Sequence, residues 1–82
     1  MKVSVELSLY PLTKEFIPEI IDFVNRLKQH PDIIVEVNDM STQVFGEYKK
    51  VMTHLTSEIE QSFKEKSKAA IVMKILNVGL RN

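Results

Sequence analysis

The chain contains no cysteine and no tryptophan, and only two of its 82 residues are glycine. Without cysteine, neither a disulfide framework nor a thiolate nucleophile is available, so packing alone has to hold the fold. The glycines, Gly46 and Gly79, are too few and too far apart for a glycine-rich phosphate loop. Eleven basic residues balance eleven acidic ones. This balance gives no electrostatic basis for binding nucleic acid or an anionic membrane.

Long apolar runs are also missing. No stretch approaches the ~20 consecutive apolar residues that a membrane helix needs. The first ten residues, MKVSVELSLY, alternate between polar and apolar, whereas a signal peptide has an unbroken apolar run. We therefore expect a cytoplasmic protein, with residues 1–82 forming a single domain.

Hydrophobic periodicity divides the chain into six elements. Val3, Val5, Leu7 and Leu9 recur every second residue, which predicts a strand with one buried face, ended by Pro11. Two amphipathic helices follow from apolar residues at helical spacing, the first beginning at Pro18 and the second near Glu47. The first stripe comprises Ile17, Ile20, Ile21, Val24 and Leu27, and the second comprises Tyr48, Val51, Met52, Leu55, Ile59 and Phe63. The other predicted strands span residues 33–38, 40–46 and 69–78, with a turn at Asn38 and Asp39.

The order β-α-β-β-α-β predicts an α+β protein. Right-handed crossovers place two helices on one face of a four-stranded antiparallel sheet, the ferredoxin-like arrangement, with the first and third strands at its centre.

The last strand is apolar on both faces. Ile71, Met73 and Ile75 alternate with Val72 and Leu76, yet the helices cover only one side of the sheet. We expect sheet faces to pair in a homodimer or homotetramer. The alternative is that the tail of the chain covers this strand.

The first strand carries a polar face opposite its apolar one, formed by Ser4, Glu6, Ser8 and Tyr10. Hydroxyls around one carboxylate are typical of a polar site whose hydrogen bonds a ligand completes. An ordinary solvated strand is the competing interpretation.

Catalytic signals are absent from the sequence. His30 and His54 are isolated and are expected on helix surfaces, so no metal site is predicted. No serine lies in a nucleophile elbow. The loop PLTKEF after the first strand lacks the arginine of an acylphosphatase-like enzyme. Tyr10 and Phe45 are the only aromatics placed to stack RNA bases, which also makes an RNA-binding sheet a weak interpretation. We expect a protein that is not an enzyme.

Two segments resemble the YkoF-like thiamine-binding family: SLYPL at residues 8–12 and MSTQVFGEYKKVM at residues 40–52. The resemblance covers essentially the whole chain. It implies a ferredoxin-like fold, sheet-to-sheet pairing of domains, and binding of thiamine or its hydroxymethylpyrimidine moiety as a ligand rather than a cofactor. Some members carry two such domains in tandem. As a single-domain member, this chain would replace the tandem pair by a homodimer.

That ligand matches the polar face of the predicted sheet. Glu6 would accept a hydrogen bond from the amino group of the pyrimidine, and an aromatic face suits its flat ring and the thiazolium cation. Because Thr42 and Gln43 point to opposite faces, only one of them lies beside Glu6. If the polar face of the first strand lies beside the more polar face of the third strand, the residues beside Glu6 are Ser41, Gln43 and Phe45. The candidate ligand-binding residues are Glu6, Ser8, Tyr10, Asn38, Ser41, Thr42, Gln43 and Phe45.

A second interpretation comes from a different functional class. An ACT-like regulatory or oligomeric interaction module, which binds another small molecule or a protein, has the same element order. Ligand-induced changes in melting temperature distinguish the two.

Overall fold

The order of helices and strands is β-α-β-β-α-β, as predicted. The computed structural model describes residues 1–65 and 68–81. Over these residues, neither helix is both long and apolar enough to cross a membrane. The elements are β1 (Lys2–Pro11), α1 (Phe16–Lys28), β2 (Ile34–Val37), β3 (Thr42–Glu47), α2 (Tyr48–Lys64) and β4 (Ala69–Leu76).

The four strands form one antiparallel sheet in the order β2-β3-β1-β4. β1 is central, and its Val5 lies opposite Val44 of β3 and Ile75 of β4. Both helices pack on the face that carries the apolar residues of β1. These observations confirm the ferredoxin-like α+β fold.

The element boundaries differ from the sequence prediction by one to two residues. Pro11 is the last residue of β1, opposite Ala69, rather than the residue after it. α1 begins at Phe16, so Pro18 is its third residue. Proline is tolerated there because the first four N–H groups of a helix have no acceptor within it.

β3 begins at Thr42 rather than at residue 40, because the side chain of Asn38 holds a turn. Its Oδ1 accepts hydrogen bonds from the backbone N–H of Met40 at 2.8 Å and of Ser41 at 3.0 Å. Such Asx turns compete with strand pairing for backbone donors.

The core lies between the sheet and the helices, and the register of α1 in it differs from the prediction. Ile17 and Ile21 are half-exposed, whereas Phe23 is only 1% exposed. A stripe through Phe23 satisfies helical spacing equally well, and the aromatic ring buries more apolar area. In α2, Val51 and Leu55 are fully buried as predicted, but Tyr48 and Phe63 are partly exposed.

The two histidines are not isolated. Their rings stack with centroids 3.9 Å apart, although they are 24 positions apart in the sequence. His30 Nε2 lies 2.8 Å from Glu58, which also pairs with Arg26 at 2.8 Å, and His54 Nε2 lies 2.7 Å from Asp32. Burial would raise the pKa of Glu58, but hydrogen bonds from His30 and Arg26 hold it below its usual value. This cluster joins the end of α1 and the following loop to α2.

Candidate functional site

The face of the sheet that the helices leave open carries most of the predicted polar residues. Glu6 lies opposite Gln43 on one side and Lys74 on the other, and Ser4 lies opposite Phe45. The remaining residues of this parity on β1 are Lys2, Ser8 and Tyr10. Thr42 instead lies opposite Leu7, on the helix-facing side of the sheet.

Glu6 is the centre of a small hydrogen-bonded cluster. Ser41 Oγ donates to Glu6 Oε2 at 2.9 Å, and Lys74 Nζ lies 3.2 Å from Glu6 Oε1. The hydrogen bond from Ser41, together with the hydrogen bond and charge of Lys74, holds the pKa of the Glu6 carboxyl below its usual value. Glu6 is therefore a carboxylate at neutral pH, with one fixed neutral donor and one cation as partners.

The C-terminal segment covers one end of the open face. Ser4 Oγ donates to the carbonyl of Val78 at 2.7 Å and accepts from the N–H of Leu80 at 2.9 Å. The guanidinium of Arg81 lies 5.1 Å from the centroid of the Phe45 ring, which is only 3% exposed. Glu36 pairs with the same guanidinium at 2.9 Å. Phe45 thus already has a cation on its face.

The tail does not cover the apolar residues of β4 completely. Val72 remains 64% exposed, and Leu76 remains nearly half-exposed. Val72 lies opposite Ser8, at the end of the sheet away from the tail.

Tyr10 and Phe45, the two aromatic candidates, lie at opposite ends of the sheet. Phe45 is opposite Ser4, and Tyr10 follows six residues later on the same strand. A strand rises about 3.3 Å per residue, which separates the two positions by about 20 Å. One small ligand therefore cannot stack on both rings.

A cleft of about 480 Å³ opens at the Tyr10 end of the sheet. It exists because β1 is longer than its neighbour: the ladder with β3 ends at the Leu7–Thr42 pair, whereas β1 continues to Pro11. The edge of this extension faces the cleft instead of a strand. The cleft is lined by Leu7, Ser8, Leu9, Tyr10, Pro11, Leu12, Phe16, Ile20, Val37, Asn38, Asp39, Met40, Ser41 and Thr42.

Five predicted site residues line this cleft, namely Ser8, Tyr10, Asn38, Ser41 and Thr42. Asn38 acts mainly through the turn that shapes one wall, since its side-chain oxygen is engaged there. Ser8 Oγ reaches towards the carbonyl of Met40 at 3.4 Å, across the mouth of the cleft. Gln43, Phe45 and Glu6 do not line it, but Glu6 is the hydrogen-bond partner of Ser41.

The apolar walls were not predicted from the sequence. Leu12, Phe16, Val37 and Met40 line the cleft and are all substantially exposed. Phe16 continues the α1 stripe through Ile20 and Phe23, so the sequence does not distinguish it from a core position. Met40 belongs to no apolar stripe, and that isolation was the one signal available. A large apolar side chain without a place in a core is a candidate for a binding surface.

The cleft has the general properties of a small-molecule site. Its volume falls within the ~300–1,000 Å³ typical of ligand pockets, and its wall is mostly apolar with a few hydroxyl and amide groups and the carboxylate of Asp39. No lysine or arginine of the described chain lines it. Among residues 1–65 and 68–81, no group of three or more histidine, aspartate or glutamate side chains is arranged to hold a metal ion.

Comparison with protein-family models and with curated protein sequences gives no match. Solved structures do share the fold. A hypothetical protein from Methanocaldococcus jannascii is 19% identical with a TM-score of 0.81, covering 99% of this chain and 84% of that one. A Thermotoga maritima protein provisionally named as a thiamine biosynthesis/salvage protein is 19% identical with a TM-score of 0.79, covering 99% and 90%.

A domain of unknown function, DUF77, from Bacillus cereus is similar over 98% of this chain and 79% of its own length, at 17% identity and a TM-score of 0.70. At these identities the likeness shows the fold alone.

Proposed function

We propose that this protein binds thiamine or its hydroxymethylpyrimidine moiety in the cleft at the Tyr10 end of the sheet, without catalysing a reaction. The observation that carries the proposal is the combination of an apolar cleft, an unpaired strand edge and a nearby carboxylate. The resemblance of residues 8–12 and 40–52 to the YkoF-like family supports it. So does the name of the Thermotoga maritima neighbour.

Each part of the cleft suits one part of such a ligand. A flat ring packs against the apolar wall, and the half-exposed ring of Tyr10 offers a face to a cation. The amino group and ring nitrogens of an aminopyrimidine need acceptors and donors side by side. The edge of β1 beyond Leu7 presents backbone groups of both kinds.

Glu6 supplies the negative charge for the cationic ligand. It lies two residues before Ser8 on the same face, about 7 Å along the strand. Ser41 both lines the cleft and donates to Glu6, so it connects the two.

We further propose that two or four copies associate through their open sheet faces. The exposed Val72 and Leu76 supply the apolar surface for this contact. The contact also accounts for a strand whose two faces are both apolar.

Melting temperatures with and without ligand test the binding proposal. A ligand that binds only the folded state stabilises it by RT ln(1 + [L]/Kd), about 2.7 kcal/mol at a hundredfold excess over Kd. Glu6→Gln keeps the side-chain shape but removes the charge, so it should lower the affinity for a cationic ligand. Glu60→Gln, the same change at an exposed position of α2, is the matched control and should leave binding unchanged.

Two results would count against the proposal in different ways. No shift with either compound at millimolar concentration would refute the binding function and favour an ACT-like interaction module. A shift that Glu6→Gln leaves intact would retain the function but exclude Glu6 as the anion.

A further inference from the structure

Both carboxylate oxygens of Glu6 are already occupied in the ligand-free protein. Ser41 Oγ donates to Oε2, and Lys74 Nζ lies beside Oε1. A cationic ligand that pairs with Glu6 therefore has to displace one of these two partners or share the carboxylate with it.

The two partners differ in how firmly they are held. Ser41 is half-buried, and its backbone N–H is fixed by the Asn38 turn. Lys74 lies on the edge strand β4, is 77% exposed, and reaches Glu6 through four methylene groups. Releasing an exposed ammonium into water costs little, whereas moving Ser41 disturbs the turn that forms a wall of the cleft. Lys74 is the partner that yields.

We propose that Lys74 is an internal competitor for the cationic ligand, occupying Glu6 in the free protein and leaving it on binding. This inference rests on the proposed function and adds a residue that sets affinity. Because the incoming cation replaces the ammonium, the carboxylate stays paired throughout. Binding therefore exchanges one ion pair for another, and the affinity for a cation is lower than an unoccupied carboxylate would give.

Arg81 is a second example of a cation of the protein that is paired with a carboxylate on the open face. Its guanidinium covers Phe45 and pairs with Glu36, as Lys74 pairs with Glu6. Arg81 is on the tail end of the sheet, so it does not compete at the cleft. Lys74 is the one of these two cations placed to do so.

The test is a calorimetric titration of the full chain with thiamine. Lys74→Met keeps the aliphatic stem and removes the charge. Since exposed ion pairs are worth ~0.2–1 kcal/mol, removing the competitor should tighten binding by about 1.4- to fivefold. Lys49→Met, an exposed lysine at the start of α2, makes the same change in net charge and should leave the affinity unchanged.

A double-mutant cycle assigns the effect to the pair. In a Glu6→Gln background, Lys74→Met should no longer tighten binding, because the carboxylate for which the two cations compete is gone. A readout without ligand is the NMR titration of Glu6, where Lys74→Met should raise the pKa of the carboxyl because a neighbouring cation is lost.

The outcomes separate this inference from the function on which it rests. If the wild-type protein binds thiamine and Lys74→Met binds it equally or more weakly, the competitor role is overturned while the function stands. An unchanged Glu6 titration in Lys74→Met would overturn it as well. If neither protein binds thiamine, the inference fails; the proposed function fails with it only if hydroxymethylpyrimidine also gives no shift in melting temperature.

Discussion

Leu55 is the residue whose truncation tests the helix packing most directly. It lies in the middle of α2, is fully buried, and belongs to the core cluster beneath the sheet. Leu55→Ala removes its isobutyl group from the core and leaves a cavity that the surrounding β1 and β3 side chains only partly fill. Buried leucine-to-alanine changes cost ~2–5 kcal/mol through lost burial and the remaining cavity.

The size of the chain makes this a large fraction of its stability. At ~0.05–0.15 kcal/mol per residue, 82 residues give a free energy of unfolding of about 4–12 kcal/mol. Urea denaturation followed by far-UV circular dichroism should show a midpoint lowered by at least about a sixth, with an unchanged slope. At the weak end of the range, the variant is largely unfolded without urea.

Leu12→Ala is the matched control, since Leu12 is 68% exposed at the rim of the cleft. The same chemical change there should alter the free energy of unfolding by no more than ~0.5 kcal/mol. A loss below ~0.5 kcal/mol for Leu55→Ala, or a larger loss for Leu12→Ala than for Leu55→Ala, would refute the assigned phase of α2.

Two further predictions concern assembly and acid stability. Val72→Lys should shift the protein towards monomer in sedimentation, because it places a charge on the open face. Met73→Lys, which places the same charge on the helix side of the sheet, should instead unfold the protein. A wild-type protein that is purely monomeric at micromolar concentration would refute the assembly. Because His30 and Arg26 hold the folded-state pKa of Glu58 low, its contribution to stability is fully present above the unfolded value near 4.5 and is lost as the pH falls through the folded-state pKa. Glu58→Gln should therefore reduce the loss of stability on acidification in this range. If the free energy of unfolding of the variant falls with acidification as steeply as that of the wild type, the stabilising role of the Arg26–Glu58–His30 contacts is contradicted.

The sheet and its core could be predicted from the sequence because alternation reports burial directly. In β1, each of Val3, Val5, Leu7 and Leu9 is buried, since a period of two allows only one face towards the helices. The phase of α1 was harder. An apolar stripe through Ile17 and Ile21 fits a period of 3.6 as well as one through Phe23, and only packing against the sheet decides between them.

The site was only partly accessible to the same reasoning. Parity along β1 and β3 predicts that Glu6 and Gln43 share one face of the sheet, and the structure also pairs them directly across the two strands. The sequence could not show that a tail residue, Arg81, lies over Phe45, because that contact depends on where the chain goes after β4. The cleft is likewise a tertiary feature, formed where the end of β1 meets the first turn of α1 and the β2–β3 turn.

The stacked histidines show a third kind of limit. Neither His30 nor His54 is spaced from another histidine or carboxylate in the way that metal ligands are. The sequence therefore predicts each as a single residue on a helix surface. Their contact arises because the end of α1 and the middle of α2 pack side by side. Contacts between residues that are far apart in sequence become predictable only after the packing of the helices is known.

The two ends of the open face differ in what they leave available. At the Ser4 end, the tail satisfies the serine hydroxyl and covers Phe45, so polar and aromatic groups are already engaged. At the Ser8 end, β1 outruns β3, and the strand edge and Tyr10 remain exposed around the cleft. Glu6 lies between the two, with an exposed lysine as its exchangeable partner. A ligand that enters from the Ser8 end therefore reaches the Glu6 carboxylate without displacing the tail. For this reason the cleft, rather than the surroundings of Phe45, is the part of this face where a ligand can replace Lys74.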